Sequence, residues 1–169
     1  MNAIVNAGAV AQSMDMDDLL DATIDALADA PEFKPFPAGA HRVTLKTEFA
    51  DVGDWKNVPK VSLTAIETVE LADPNKDQPL KEKDSTSVSY VFKKKNKDTG
   101  AIEPNEFAQG QFKELIGALK AGGVPGETNR EIFEAANGLE VLAVTKIRRD
   151  TRDKNNIKEY TAIDSVQVL

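Results

Sequence analysis

The stretch KIRRDTRDKNNIKEY, residues 146–160, holds six cations, Lys146, Arg148, Arg149, Arg152, Lys154 and Lys158, against three acids. A second cationic run, Lys93, Lys94, Lys95 and Lys97, follows directly on Tyr90 and Phe92. The single tryptophan, Trp55, is followed by Lys56 and, a little further on, Lys60. Aromatic rings interleaved with ammonium and guanidinium groups suit one kind of chemistry. A ring stacks on any nucleobase and a cation tracks the phosphates, so a single strand is held without sequence readout. The candidate set for that chemistry is Trp55, Lys56, Lys60, Tyr90, Lys93, Lys95, Arg148, Arg149, Arg152 and Lys154.

These residues belong to a chain whose net charge is −7. The excess is localised. Residues 1–33 carry seven acids and neither Lys nor Arg, which leaves 28 − 7 = 21 acids against 21 bases in residues 34–169. An acidic N-terminal arm and a neutral body with local basic patches are therefore expected, divided at residue 33. With no cysteine, a disulfide framework and a thiolate metal site are both excluded. The lone histidine, His41, has no second ligand type beside it and reads as structural. No phosphate-cradling loop, nucleophile elbow or dinucleotide fingerprint occurs, so a binding protein without cofactors is expected rather than an enzyme. The first 18 residues lack the basic start of a signal peptide, and no apolar run nears the roughly 20 residues of a membrane span. A cytoplasmic protein is the expectation.

The elements that must position the cations follow from periodicity. Met16, Leu20, Ile24 and Leu27 predict an amphipathic acidic helix in the arm, ended by Pro31. After a Pro/Gly-rich lead-in, HRVTLKTEF alternates as a first strand, ADVGDWKNVPK reads as a turn-rich loop, and KVSLTAIETVEL is a second strand with Val61, Leu63, Ala65, Val69 and Leu71 on one face. SVSYVFKKKN is a third, with Val88, Tyr90 and Phe92 in phase; these rings serve either the core or the binding face. The run KKKNK equally fits an edge-strand guard against aggregation. A helix over EFAQGQFKELIGALKAGG buries Ala108, Phe112, Leu115, Ile116 and Leu119, and TNRE at Thr128 opens a shorter one with a capping box. LEVLAVTKIRR and EYTAIDSVQVL close the chain as a long hairpin turning at KNN.

Three strands, a helical segment and two strands is the order of an OB-fold: a mainly β, five-stranded antiparallel barrel with helices between strands 3 and 4. Its strand 2–3 face and its 1–2 and 4–5 loops bind oligonucleotides. At PAGAHRV, FAQGQFKELIGALKAGG and the closing hairpin, over roughly residues 35–169, the chain resembles bacteriophage single-stranded DNA-binding proteins with that fold. The resemblance implies binding of displaced single-stranded DNA during phage replication or recombination, with replication or recombination proteins as partners through residues 13–32. Many such proteins end in an acidic tail, whereas here the acids stand at the opposite end. Two rival readings are an acidic protein-interaction or DNA-mimic inhibitor and a phage structural β-protein.

Overall fold

Alternation of Val43, Leu45 and Thr47 with Arg42, Thr44 and Lys46 builds strand β1, Gly39–Val52. A tight turn at Gly53 and Asp54, with Gly53 at φ 57°, returns the chain as β2, Trp55–Leu71. The structure, a computed structural model, describes residues 35–169, and the expected acidic arm helix lies outside the described residues. β3, Ser85–Ser89, follows a polar loop, and a separate small hairpin consists of β4, Lys93–Lys95, and β5, Ile102–Pro104. Helices α1, Glu106–Ala121, and α2, Asn129–Ala135, lead into β6, Glu140–Asp150, and β7, Lys158–Val168.

Five strands form one antiparallel sheet in the order β3-β2-β1-β6-β7. β1 is central, pairing along its whole length with β2 and through Gly39–Thr44 with β6. The edge strands β3 and β7 approach each other without a hydrogen-bonded ladder between them. The expected barrel is thus a curved sheet that is not closed.

Three local features redirect the sheet. Gly39 lies so close to β2 that a Cβ there would stand 2.3 Å from the Glu70 carbonyl oxygen, so only glycine fits. Ile66 and Val69 fall out of the β1–β2 pairing as bulges, which flips the side-chain phase. Val69, expected on the buried face, is consequently 59% exposed, and Thr68 faces inward in its place. Thr68 Oγ1 lies 2.9 Å from Nδ1 of the fully buried His41, whose Nε2 is 2.9 Å from the Pro37 carbonyl. That carbonyl only accepts, so Nε2 carries the proton and Nδ1 accepts from the Thr68 hydroxyl. Burial lowers the His41 pKa and favours this neutral form. Pro59, in β2, has no N–H to donate to a neighbour. The β2–β3 ladder ends at Lys60–Ser89, and Tyr90 N–H to the Pro59 carbonyl is the last bond between the two segments. The expected continuous third strand is therefore broken at Tyr90–Phe92.

The helices close the core. α1 buries the expected stripe of Ala108, Phe112, Leu115, Ile116 and Leu119, with the Asn105 side chain as its N-cap. α2 begins with the expected Thr128–Glu131 capping box. Phe112 lies at the hub of an aromatic chain, its ring 5.5 Å from Tyr90, 5.1 Å from Phe92 and 5.5 Å from Phe133, with Phe133 in turn 5.3 Å from Phe49. Each fully buried ring contributes roughly 1.5–3 kcal/mol of transfer free energy. The lead-in segment is fastened by Phe36, fully buried, whose N–H donates to Thr161 Oγ1 at 2.6 Å.

Candidate nucleic-acid interface

The lysine run lies on the β4–β5 hairpin, where Lys93, Lys94 and Lys95 are exposed. A turn at residues 96–101 shapes its tip. Asn96 Oδ1 accepts from the N–H groups of Asp98 and Thr99, and Gly100 adopts φ 73°. Asn96 Nδ2 also reaches across the hairpin to Glu103. The base of the hairpin is tied to α1: the Phe92 carbonyl accepts from Asn105 N–H at 2.8 Å and from Gln109 Nε2 at 2.9 Å. The lysines thus project from the first turn of α1, Lys93 lying opposite Pro104 in the hairpin register. Among the described residues none of Lys93, Lys94, Lys95 and Lys97 has a carboxylate within ion-pair distance.

The other side of that turn meets the second cationic stretch. The Arg148 guanidinium lies 4.7 Å from the centroid of Phe107. Its Nε is buried and has no hydrogen-bond acceptor among the described residues. Tyr160 stands directly across the β6–β7 ladder from Arg148. Phe107 is 55% exposed and Tyr160 45% exposed, so both keep ring surface open to solvent. Arg148 thus stacks on one accessible ring and stands across the ladder from a second, and the helix turn that carries Phe107 is hydrogen-bonded to the base of the lysine hairpin. Such stacking between guanidinium and ring is worth about 0.5–1 kcal/mol at an exposed site and holds the side chain in place.

The remaining cations of the β6–β7 hairpin are mostly engaged by neighbours. Arg149 Nε lies 3.4 Å from Glu159, its cross-strand partner. Lys146 Nζ is 2.8 Å from Asp164. Arg152 donates from Nε to Asp150 at 2.9 Å, and these side-chain bonds hold the Asp150 carboxyl down at about 2. Lys154 lies exposed in the connecting turn.

The expected site residues do not all come together. Trp55 is not in a loop but opens β2, half-buried opposite Val52, and Lys56 beside it pairs with Asp51 at 3.2 Å. The β6–β7 turn lies beyond the opposite end of β1, since Gly39 pairs with Thr145 and the strands of that hairpin run on past it. The two ends of the 14-residue β1 are on the order of 40 Å apart along its contour. Lys60, midway, lies 3.8 Å from Glu48. Tyr90, expected to stack on a base, is 3% exposed and packs edge-on to Phe112. Burial also pushes its phenol pKa up. It is a core residue and offers no open ring face. Phe107 and Tyr160 were not singled out by the sequence. The signal existed for Phe107: it is a large apolar residue just off the buried stripe of a helix whose other large apolar residues, Phe112, Leu115, Ile116 and Leu119, all lie on that stripe.

Among the described residues no helix is long and apolar enough to cross a membrane. Comparison with family models, with curated proteins and with solved structures finds no match to this chain.

Proposed function

We propose that this protein binds single-stranded DNA with little sequence preference, serving phage replication or recombination in the cytoplasm of a bacterial host and performing no chemistry of its own. The open curved sheet is then an OB-type barrel left partly unclosed between β3 and β7, an architecture that accepts oligonucleotides. One observation carries the reading: the Arg148 guanidinium stacked on half-exposed Phe107 opposite half-exposed Tyr160, with the helix turn of Phe107 hydrogen-bonded to the base of the lysine hairpin. Rings with an open face beside cations that have no carboxylate partner among the described residues suit a stacking platform with a phosphate track. Trp55 and Lys56, at the far end of β1 from the β6–β7 turn, serve only a strand long enough to reach them, and Lys60, partway along, lies on that path. Partner proteins of the replication or recombination machinery engage residues 13–32.

The test is fluorescence anisotropy with labelled oligo-dT against a matched duplex over a salt series. Tight, single-strand-selective binding is expected, log K falling with log salt at about −0.7 per phosphate neutralised, near −3 for four or five contacts. Absence of binding at low salt, or a preference for duplex, overturns the reading.

A further inference from the structure

On the other flank of the first turn of α1 lies a cleft of about 490 Å³ lined by Phe49, Phe92, Phe112, Pro59, Gln109, Lys113, Asn129 and Arg130. We infer that this cleft is a nucleotide pocket, seating one base of the bound strand between its rings and that base's phosphate on Arg130 and Lys113. The inference rests on the single-strand reading above and extends it to a site at which a base is enclosed rather than stacked on an open surface.

Four features of the cleft point to that ligand class. Its volume falls within the roughly 300–1,000 Å³ of small-molecule clefts, and its walls are apolar with a few polar groups, as such sites are. The partly exposed rings of Phe49 and Phe92 supply apolar surface for a planar heterocycle, and the buried Phe112 ring forms the floor beneath them. The charge is one-sided, because two cations and no carboxylate line it, although the chain as a whole is acidic. The larger cleft near the lead-in segment mixes Lys76, Lys81, Lys146 and Arg149 with Asp73, Asp77 and Glu159, and a smaller one beside β7 carries Glu114 and Asp164, so in neither is the charge one-sided towards an anion. Finally, the polar groups are held ready. Arg130 stacks 4.5 Å from the Phe49 centroid, its only carboxylate neighbour among the described residues being Glu134 at 3.8 Å on an exposed surface. Gln109 donates its amide N–H to the Phe92 carbonyl, which leaves Oε1 without a donor among the described residues and open to an imino or amino N–H of a base. A planar ring with hydrogen-bonding edges and an attached anion is a nucleotide.

The experiment uses the full chain and its Arg130→Ala/Lys113→Ala double variant, both solvent-side substitutions checked by thermal melting. Amide and side-chain NMR shifts are followed on adding dTMP, thymidine, inorganic phosphate and a short acidic peptide with a leucine anchor. The expected result is saturable perturbation by dTMP at Phe49, Phe92, Gln109 and Arg130, weaker with thymidine or phosphate alone. In the double variant, dTMP affinity falls at least tenfold and oligo-dT affinity roughly tenfold, the loss of about one enclosed nucleotide. If dTMP leaves these positions unmoved while oligo-dT binds parent and double variant alike, the pocket is wrong and the strand-binding reading stands. Perturbation by dTMP in a parent that fails to bind oligo-dT keeps the pocket and removes the strand. Perturbation by the peptide and not by dTMP makes the cleft a protein-docking site and overturns the inference.

Discussion

Two hairpins carry most of the cations that stand out in this chain, and they differ in what faces them. In the β6–β7 hairpin Arg149 meets Glu159, Arg152 meets Asp150 and Lys146 meets Asp164. On β4–β5 Lys94 stands opposite Glu103, but that carboxylate is bonded by Asn96 and makes no ion pair with it, while Lys93 and Lys95 face Pro104 and Ile102. The longer and more cationic segment is therefore the less available one. Counting charges along a sequence measures the supply of cations; the cross-strand register decides how many remain free for a polyanion. Exposed pairs of this kind are worth only about 0–1 kcal/mol, so the β6–β7 cations act as a reserve that phosphates can recruit at a small cost.

The largest effect that separates the hairpins is expected on β4. Replacing Lys93, Lys94 and Lys95 together by Ala should weaken oligo-dT binding roughly a hundredfold at low salt, at about 1 kcal/mol for each exposed cation–phosphate contact. The salt slope should become shallower by about 2. Replacing Arg149, Arg152 and Lys154 should change both by much less, and an equal effect from the two triples would erase the distinction drawn between them. Next comes the platform that joins the hairpins. Phe107→Ala should cost about 1–2 kcal/mol of binding, the ring being half-exposed with Arg148 stacked on it, with the melting temperature nearly unchanged. A fall in stability without loss of affinity would make Phe107 a packing residue.

Unmasking the reserve is a smaller effect with the opposite sign. Asp150→Asn with Glu159→Gln should tighten oligo-dT binding by at most about fivefold and steepen the salt slope. Unchanged affinity and slope would show that Arg149 and Arg152 never meet the strand. Acid titration reads the same pair directly. The Asp150 carboxyl is held at about 2 against its ordinary 3.8, so its contribution to stability is present above 3.8 and is lost as pH falls towards 2. A carboxyl ¹³C midpoint near 2 is expected in the folded protein, and one near 3.8 would mean that the Arg152 contact is not formed. The smallest effect concerns Trp55. Because it lies at the far end of β1 from the β6–β7 turn, oligo-dT of about 4 nucleotides should leave its fluorescence almost unaltered and strands approaching 16 should quench it, the span of site sizes for a fold of this kind. Full quenching by the short strand would place the principal contact at the opposite end of the sheet.

What could be read from the sequence was what depends on neighbours along the chain. The buried stripe of α1 follows from spacings of three and four, the start of α2 from Thr128 and Glu131, and the closing hairpin from two alternating runs with KNN between them. What could not be read depends on a partner strand. Pro59 ends the pairing of β3 from across the ladder, so nothing within SVSYVFKKKN announces the break at Tyr90–Phe92. The bulges at Ile66 and Val69 are imposed by the register with β1, and they turned Val69 outward. Trp55 reads as a loop residue because the turn at Gly53 and Asp54 has polar residues close by on both sides, whereas β2 begins directly at Trp55. The Arg149–Glu159 pairing also escapes the sequence, because the observed register centres on Lys154, and counting back from the middle of KNN would set Arg149 opposite Thr161.

The bond from Phe36 N–H to Thr161 Oγ1 joins residues 125 apart in sequence, and Gly39–Thr44 of β1 pair with residues about a hundred positions later. The β1–β2 and β6–β7 hairpins need only local closures, so each can form early and alone. Docking one onto the other closes the loop of residues 72–139 and must await the chain that lies between. Until then β1 presents an open edge, a template for pairing with another molecule. The slow step of folding, and the moment of greatest exposure to aggregation, is thus the arrival of β6 at that edge. During synthesis this step cannot begin before the second hairpin has emerged from the ribosome.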